Sequence, residues 1–413
     1  MTPIYIAGVG MTPFRRHDGA TVKSLTAWAV GDALKDAGCD RRHIQAAYFG
    51  NVGQGPLEGQ VAIPGQVALL PLGIQGVPIV NVENACATAS TAFHLAVRHL
   101  LVGDADLALA VGVDKLSGRD KAGTLALFEG GWDVETPEAN AQSLVRMGAG
   151  IVPPPGTMST RPYSRFMDIY AAFCRYHMVH YGLTQAQLAA VCAKNHTHAV
   201  HNERAQYREA MSVEAVLASP PIAYPLTQAM CSPISDGAAA AILCTEPALA
   251  RYGFDRGRAV RVRASVLRSA TERAWDDLDR HATRLAAGQA YEQAGLGPDD
   301  MQVAEVHDAT AMGEILQSEN LGFCAVGGGG PLADTGATRI DGRIPINPSG
   351  GLESKGHPIG ATGLGQIFEL VQQLRGDCGA RQVEGARVAI QENGGGIWSG
   401  EEAACHIGIF SRD

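Results

Sequence analysis

Residues Ala33 to Asn51, ALKDAGCDRRHIQAAYFGN, and residues Ala290 to Asp308, AYEQAGLGPDDMQVAEVHD, can be laid over one another without a gap. They coincide at Ala33 and Ala290, Ala37 and Ala294, Gly38 and Gly295, Gln45 and Gln302, and Ala47 and Ala304. Each segment reads as the end of a helix, a glycine stop, a turn and then a strand. Five identities do not prove a duplication, but both halves continue in the same style. Helical stretches run from Ser90 to Asp104 and from Leu364 to Asp377, and apolar strands follow at Leu107–Val113 and Val388–Gly394. Helices alternating with apolar strands predict an α/β chain whose strands are buried.

The stretch between the halves differs. From about Ser117 to Asp236 the chain is irregular, with a Pro/Gly segment at Gly148–Gly156 and polar helices in DIYAAFCRYHMVHYG and TQAQLAAVCAKNHTHAVHN, the first stopped by Gly182. It reads as an insertion after a central strand, carrying binding surface on a regular scaffold. The strand Gly237–Cys244 then returns to the first half. The expected division is 1–250 for the first half, with the insertion at about 117–236, and 258–413 for the second.

A net charge of -9 with no Lys/Arg run argues against nucleic acid. The start MTPIYIAGVG lacks a basic region and is too short in its apolar run for a signal peptide or membrane span. Nine cysteines without CxxC spacing point away from disulfides and zinc and toward a reducing cytoplasm.

Chemistry concentrates in four places: Cys86 in ENACATAS, His307 in EVHDAT, His357 in GHPIGATG and the glycine run of ENGGG, Glu392–Gly396. Cys86 precedes a helix, whose positive end favours a thiolate. His357 is the candidate general base for it. His307 should emerge at a strand end. Gly394–Gly396 can bring backbone N–H groups close to an acyl oxygen. ENGGG lacks the Lys-Ser/Thr of a phosphate-binding loop.

With SPISDGAAA at Ser232–Ala240, these motifs occur in the order found in the thiolase superfamily, and the chain resembles its sterol-carrier-protein-2-type and thiolase-like members. The resemblance implies two similar α/β halves in a five-layered arrangement with an inserted loop domain, and a homodimer. It implies an acyl-CoA substrate, coenzyme A thioester, with no further cofactor and no metal. It places His307 with His357 in an oxyanion hole, and the amides of Gly395 and Cys86 in a second. Asp308 is expected to orient the backbone or His307, and Glu314 matches an acidic position of open role.

Common thiolases carry a second cysteine where this chain has Asn393, with Glu392 as the alternative one residue earlier; the sterol-carrier type has one where Ala309 stands. Cys324, Cys378 and Cys405 fall at neither position. Asparagine is no general base at neutral pH. The expectation is therefore an acyltransferase that makes or breaks C–C bonds through a Cys86 acyl-enzyme. The alternatives are a decarboxylating, ketoacyl-synthase-like condensation, thioester hydrolysis, or a subunit working with a small OB-fold/zinc-ribbon partner. His196, His198 and His201 are set aside as a metal site, because residues two apart on a helix do not share a face. His177 and His180 are expected to pack in a core or interface, and Gly327–Gly330 to form a loop.

Overall fold

The computed structural model describes residues 2–118, 121–274 and 276–412. In chain order its strands are β1 (Ile4–Met11), β2 (Ala46–Gly50), β3 (Ile79–Val82), β4 (Leu107–Asp114), the short β5 (Pro221–Ala223) and β6 (Leu226–Thr227), β7 (Gly237–Thr245), β8 (Val260–Ser269), β9 (Val303–Glu305), β10 (Val388–Trp398) and β11 (Glu401–Ser411). The helices that position the site are α1 (Val22–Ala37), α2 (Thr88–Val102), α3 (Phe166–Tyr181), α4 (Gln185–Ala199), α5 (Ala282–Ala294), α6 (Ala311–Asn320) and α7 (Thr362–Arg375).

The two matching segments take the same structure. Helix α1 stops on Gly38 at φ 64° and α5 on Gly295 at φ 66°, left-handed geometry that suits glycine. A 3-10 turn follows each, then β2 or β9. Gln45 accepts the backbone N–H groups of Asp106 and Leu107 at the start of β4, and Gln302 accepts those of Arg387 and Val388 at the start of β10. Ala47 pairs with Ile79 of β3; Ala304 makes a single parallel bridge to Ile346. The second half thus keeps the position of β3 but not the strand.

Strand order in the main sheet is β3-β2-β4-β7-β1-β8-β11-β10-β9. Strand β2 is parallel to β3 and β4, and β7 lies antiparallel between β4 and β1. In the second half β9 is parallel to β10, and β11 lies antiparallel between β10 and β8. The halves join where Ile4, Tyr5 and Ile6 pair with Val262, Arg261 and Val260. Three apolar clusters fill the layers: one under α1, one around the central helices α2 and α7, and one under α5. With α2 and α7 between the two halves of this sheet, the order is helix, sheet half, helix pair, sheet half, helix, which gives the five layers expected.

Between Asp114 and Gly237 the chain leaves the sheet. Gly182, at φ 71°, ends α3, and α3 and α4 pack with Met312 and Ile315 of α6, so the insertion rests on the second half. The glycine run is not all loop: Gly329 and Gly330 begin a short helix, Gly329–Asp334. Among the described residues no helix is long and apolar enough to cross a membrane.

Candidate active site

Strand β3 ends in a turn that presents Cys86. Ala85 sits at φ 47°, uncommon for a residue with a side chain. The turn is held by Ala87 N–H to Asn84 O (3.0 Å), Thr88 N–H to Ala85 O (3.1 Å), and Asn84 N–H to Thr88 Oγ1 (2.8 Å). Cys86 is therefore held, half-buried, in the cavity wall two residues before α2. Gly395 of β10 lies against this turn: a Cβ there would be 2.3 Å from Asn84 O and 2.5 Å from Ala87 N. Only glycine permits that approach.

His357 is fixed from two sides. Its backbone N–H donates to Ser235 Oγ (3.0 Å), and its Nδ1 lies 2.6 Å from Thr362 Oγ1. The Thr362 hydroxyl gives its hydrogen to Pro358 O at 2.9 Å. Nδ1 must then be the donor, which leaves the lone pair on Nε2. The turn itself is anchored by Gly360 N–H to Asp114 Oδ2 at 2.6 Å.

His307 follows β9 and is 4% exposed, so it is not a solvent-facing loop residue. Its ring centroid is 5.3 Å from that of His357, edge to face. Among the described residues neither of its ring nitrogens has a hydrogen-bond partner. Its backbone N–H donates to Glu392 Oε2 at 2.9 Å.

Burial dominates the electrostatics. It pushes the Cys86 thiol up to about 12, with Asp114 and Glu83 adding to the rise. The expected lowering by the helix end does not prevail, because desolvating the thiolate outweighs a partial charge. Burial takes His307 down to about 4 and His357 well below its ordinary value, the latter helped by His307 and Lys355. Burial therefore favours a neutral thiol and neutral imidazoles in the resting site. The Cys86 sulfur and one nitrogen of each histidine lie within 4.8 Å of one another. They border a cavity of about 1660 Å³, which Gly395 and Glu402 also line and which exposed Arg161 and Arg208 flank.

Asn393 requires correction. Its Oδ1 accepts from Ser90 Oγ of α2 at 2.7 Å, and Gly363 of α7 packs against it. Side chains alternate along a strand, so Asn393 turns into the central helix layer and Glu392 takes the face toward His307. Asp308 accepts Leu352 N–H (2.8 Å) and Asn195 Nδ2 (3.1 Å), so it braces the start of the short helix Gly351–Lys355. Glu314 pairs with Lys194 at 2.9 Å and bonds Asn347 at 3.1 Å, away from Cys86. His196 bonds Glu209 O, His198 bonds Asn347 O, and His177 pairs with Glu319. Among the described residues only Cys86, His307 and His357 cluster closely enough to hold an ion.

Sequence reasoning missed Thr362, Cys231, Tyr170 and Glu402. Thr362 stands inside GHPIGATG, where its hydroxyl was the available signal. Cys231, Tyr170 and Glu402 line the cavity by tertiary placement, which no spacing announces.

The family description "Thiolase, N-terminal domain" matches residues 4–216, and "Thiolase C-terminal domain-like" matches 264–407. The chain belongs to the thiolase family. It is 37% identical over 420 residues to the acetyl-CoA acetyltransferase of Methanothermobacter thermautotrophicus, covering 100% of both. It is 36% identical over 399 residues to sterol carrier protein 2 of Homo sapiens, covering 94% of this chain and 69% of that protein. A solved structure described as "Ltp2-ChsH2(DUF35) aldolase" superposes with a TM-score of 0.78 at 22% identity, covering 100% of this chain and 98% of that one. That likeness concerns the fold alone.

Proposed function

We propose that this thiolase transfers acyl groups from coenzyme A thioesters and makes or breaks C–C bonds through a thioester on Cys86. The observation that carries the reading is the thiol held within 4.8 Å of two imidazole nitrogens beside a large cavity. His357 Nε2 takes the thiol proton as sulfur attacks the acyl carbonyl; the C–S bond to coenzyme A breaks, and the departing thiolate recovers that proton. His307, with unpartnered nitrogens, and the amides of Gly395 and Cys86 are assigned to the carbonyl oxygen as it gains charge. Exposed Arg161 and Arg208 suit the phosphates of coenzyme A. The triad is assigned to acyl transfer without a metal, so dialysis against a chelator should leave loading unchanged.

Intact-protein mass spectrometry after incubation with acetyl-CoA and longer acyl-CoAs tests the reading. An acyl adduct should form and be absent in Cys86→Ala. No adduct with any donor would overturn it for the chain alone.

A second reading, a thiolase subunit working with a small OB-fold/zinc-ribbon partner, draws support from the DUF35 component in the name of that solved structure. Copurification from the native source separates the two. A homodimer is proposed through β3, an edge strand with Val80 41% exposed; sedimentation measures it.

A further inference from the structure

Carbon–carbon chemistry on an acyl-Cys86 without decarboxylation needs a second proton acceptor, because the acceptor thioester must then lose a hydrogen from its C2 before it can attack. His357 is committed to the sulfur in the proposed mechanism. Its Nδ1 is held by Thr362. Cys231 lines the cavity but points its thiol to Thr227 O at 3.4 Å. Glu209 also lines it, at an exposed position. One buried carboxylate remains. Glu402 of β11 is 8% exposed and shares the cavity wall with Cys86, His307, His357 and Gly395.

The way Glu402 reaches this wall is built into β10. Its side chain crosses the neighbouring strand above Gly394, where a Cβ would lie 2.3 Å from Glu402 Cγ. Any other residue at 394 would block it. The far side of the carboxylate is anchored: Oε1 accepts from Gln317 Nε2 at 2.6 Å and Oε2 from Thr283 Oγ1 at 3.2 Å, with His281 Nε2 at 3.6 Å. A carboxylate has about four lone-pair directions, so these contacts hold it in place and leave acceptor capacity toward the cavity. Glu392 stands on the same face of β10, bonded to the His307 backbone and with Oε1 unpartnered.

We propose that Glu402 is the catalytic residue that moves the C2 proton of the acceptor acyl-CoA, in the place a second thiol would fill. The assignment rests on the acyltransferase reading above. In the condensing direction a Glu402 oxygen takes the proton, the C2–H electron pair becomes the enolate, and C2 attacks the acyl carbon on Cys86. The new C–C bond forms as the C–S bond breaks, the Cys86 sulfur leaves with the pair, and the proton that Glu402 took from C2 returns to that sulfur by way of His357. In the cleaving direction the same carboxyl, protonated, returns the proton to C2 of the departing acyl-CoA. No redox partner is involved. Glu392 is a positioning residue: burial and then Glu402 push its carboxyl well above its ordinary value, which favours its neutral form beside Glu402.

The test follows exchange of the C2 hydrogens of acetyl-CoA and butyryl-CoA with D2O by proton NMR, alongside acylation of Cys86 by mass spectrometry on the same samples. Wild type should exchange. Glu402→Gln should load Cys86 as wild type does and lose exchange by on the order of 10²-fold or more; Glu402→Asp, which keeps the charge, should recover part of it. Loading without exchange in wild type, or exchange retained in a loading-competent Glu402→Gln, would overturn the assignment while leaving the acyl-enzyme intact. Should Glu402→Gln fail to load, Glu402→Asp decides: exchange as fast as wild type there overturns the assignment, and a reduced rate supports it. A wild type that neither loads nor exchanges would overturn the underlying reading and this one together.

Discussion

The Thr362 hydroxyl lies 2.6 Å from His357 Nδ1 and spends its own hydrogen on Pro358 O. One side chain thereby decides which nitrogen of the base carries the proton. Thr362→Val keeps the shape and removes the acceptor. The neutral ring can then take the other tautomer, with Nε2 protonated and useless as a base. Loading of Cys86 should slow by roughly 10-fold to 10²-fold with the melting temperature little changed. Thr362→Ser should restore most of it, and stopped-flow release of coenzyme A measures both.

Acidification should spare the reaction longer than an ordinary histidine would allow. His357 is held well below 6.5, so its base form persists as pH falls through that value. The loading rate should show no acid limb near pH 6.5 and should fall only in stronger acid. Stability carries the same sign at His307, which takes its proton near 6.5 when unfolded and at about 4 when folded. Its contribution is present above 6.5 and is lost as pH falls toward 4, at about 1.4 kcal/mol per pH unit. His307→Gln should flatten that part of the urea-denaturation profile by about that slope.

Gly395→Ala would force a methyl group into the backbone of the Cys86 turn. We expect a loss of about 1–3 kcal/mol in chemical denaturation, with acyl loading abolished even at temperatures where the variant stays folded. Normal loading would show that the turn yields and that the amide of Gly395 is not needed in place.

Lys355 and Glu305 form an ion pair at 2.9 Å with 1% and 0% of their side chains exposed. Lys355→Met leaves the carboxyl buried without its partner, at a cost of about 3–5 kcal/mol in urea denaturation. The double variant Lys355→Met, Glu305→Gln should recover part of that loss, because no unpaired charge is then buried.

The elements and their duplication were legible because they are written locally. Gly38 and Gly295 stop helices by their own φ angles, and Gln45 and Gln302 reveal a shared role once their strands are seen side by side. Cys86, His307 and His357 were legible as side chains that carry chemistry, in motifs with a recognisable order. Asn393 was misread because a one-residue change of register exchanges the two faces of a strand. Its hydrogen bond from Ser90 of the central helix shows which face meets the helices.

The sequence by itself determined which segments become helices and strands, and which residue types could perform acyl transfer, because propensity, glycine stops and motif order act over a few neighbours. Tertiary structure decided the rest. It set the tautomer of His357 and brought Glu402 across Gly394 to the cavity. It also kept Cys86 a thiol, since desolvation sums over everything packed around a group, and no local stretch of sequence contains that sum.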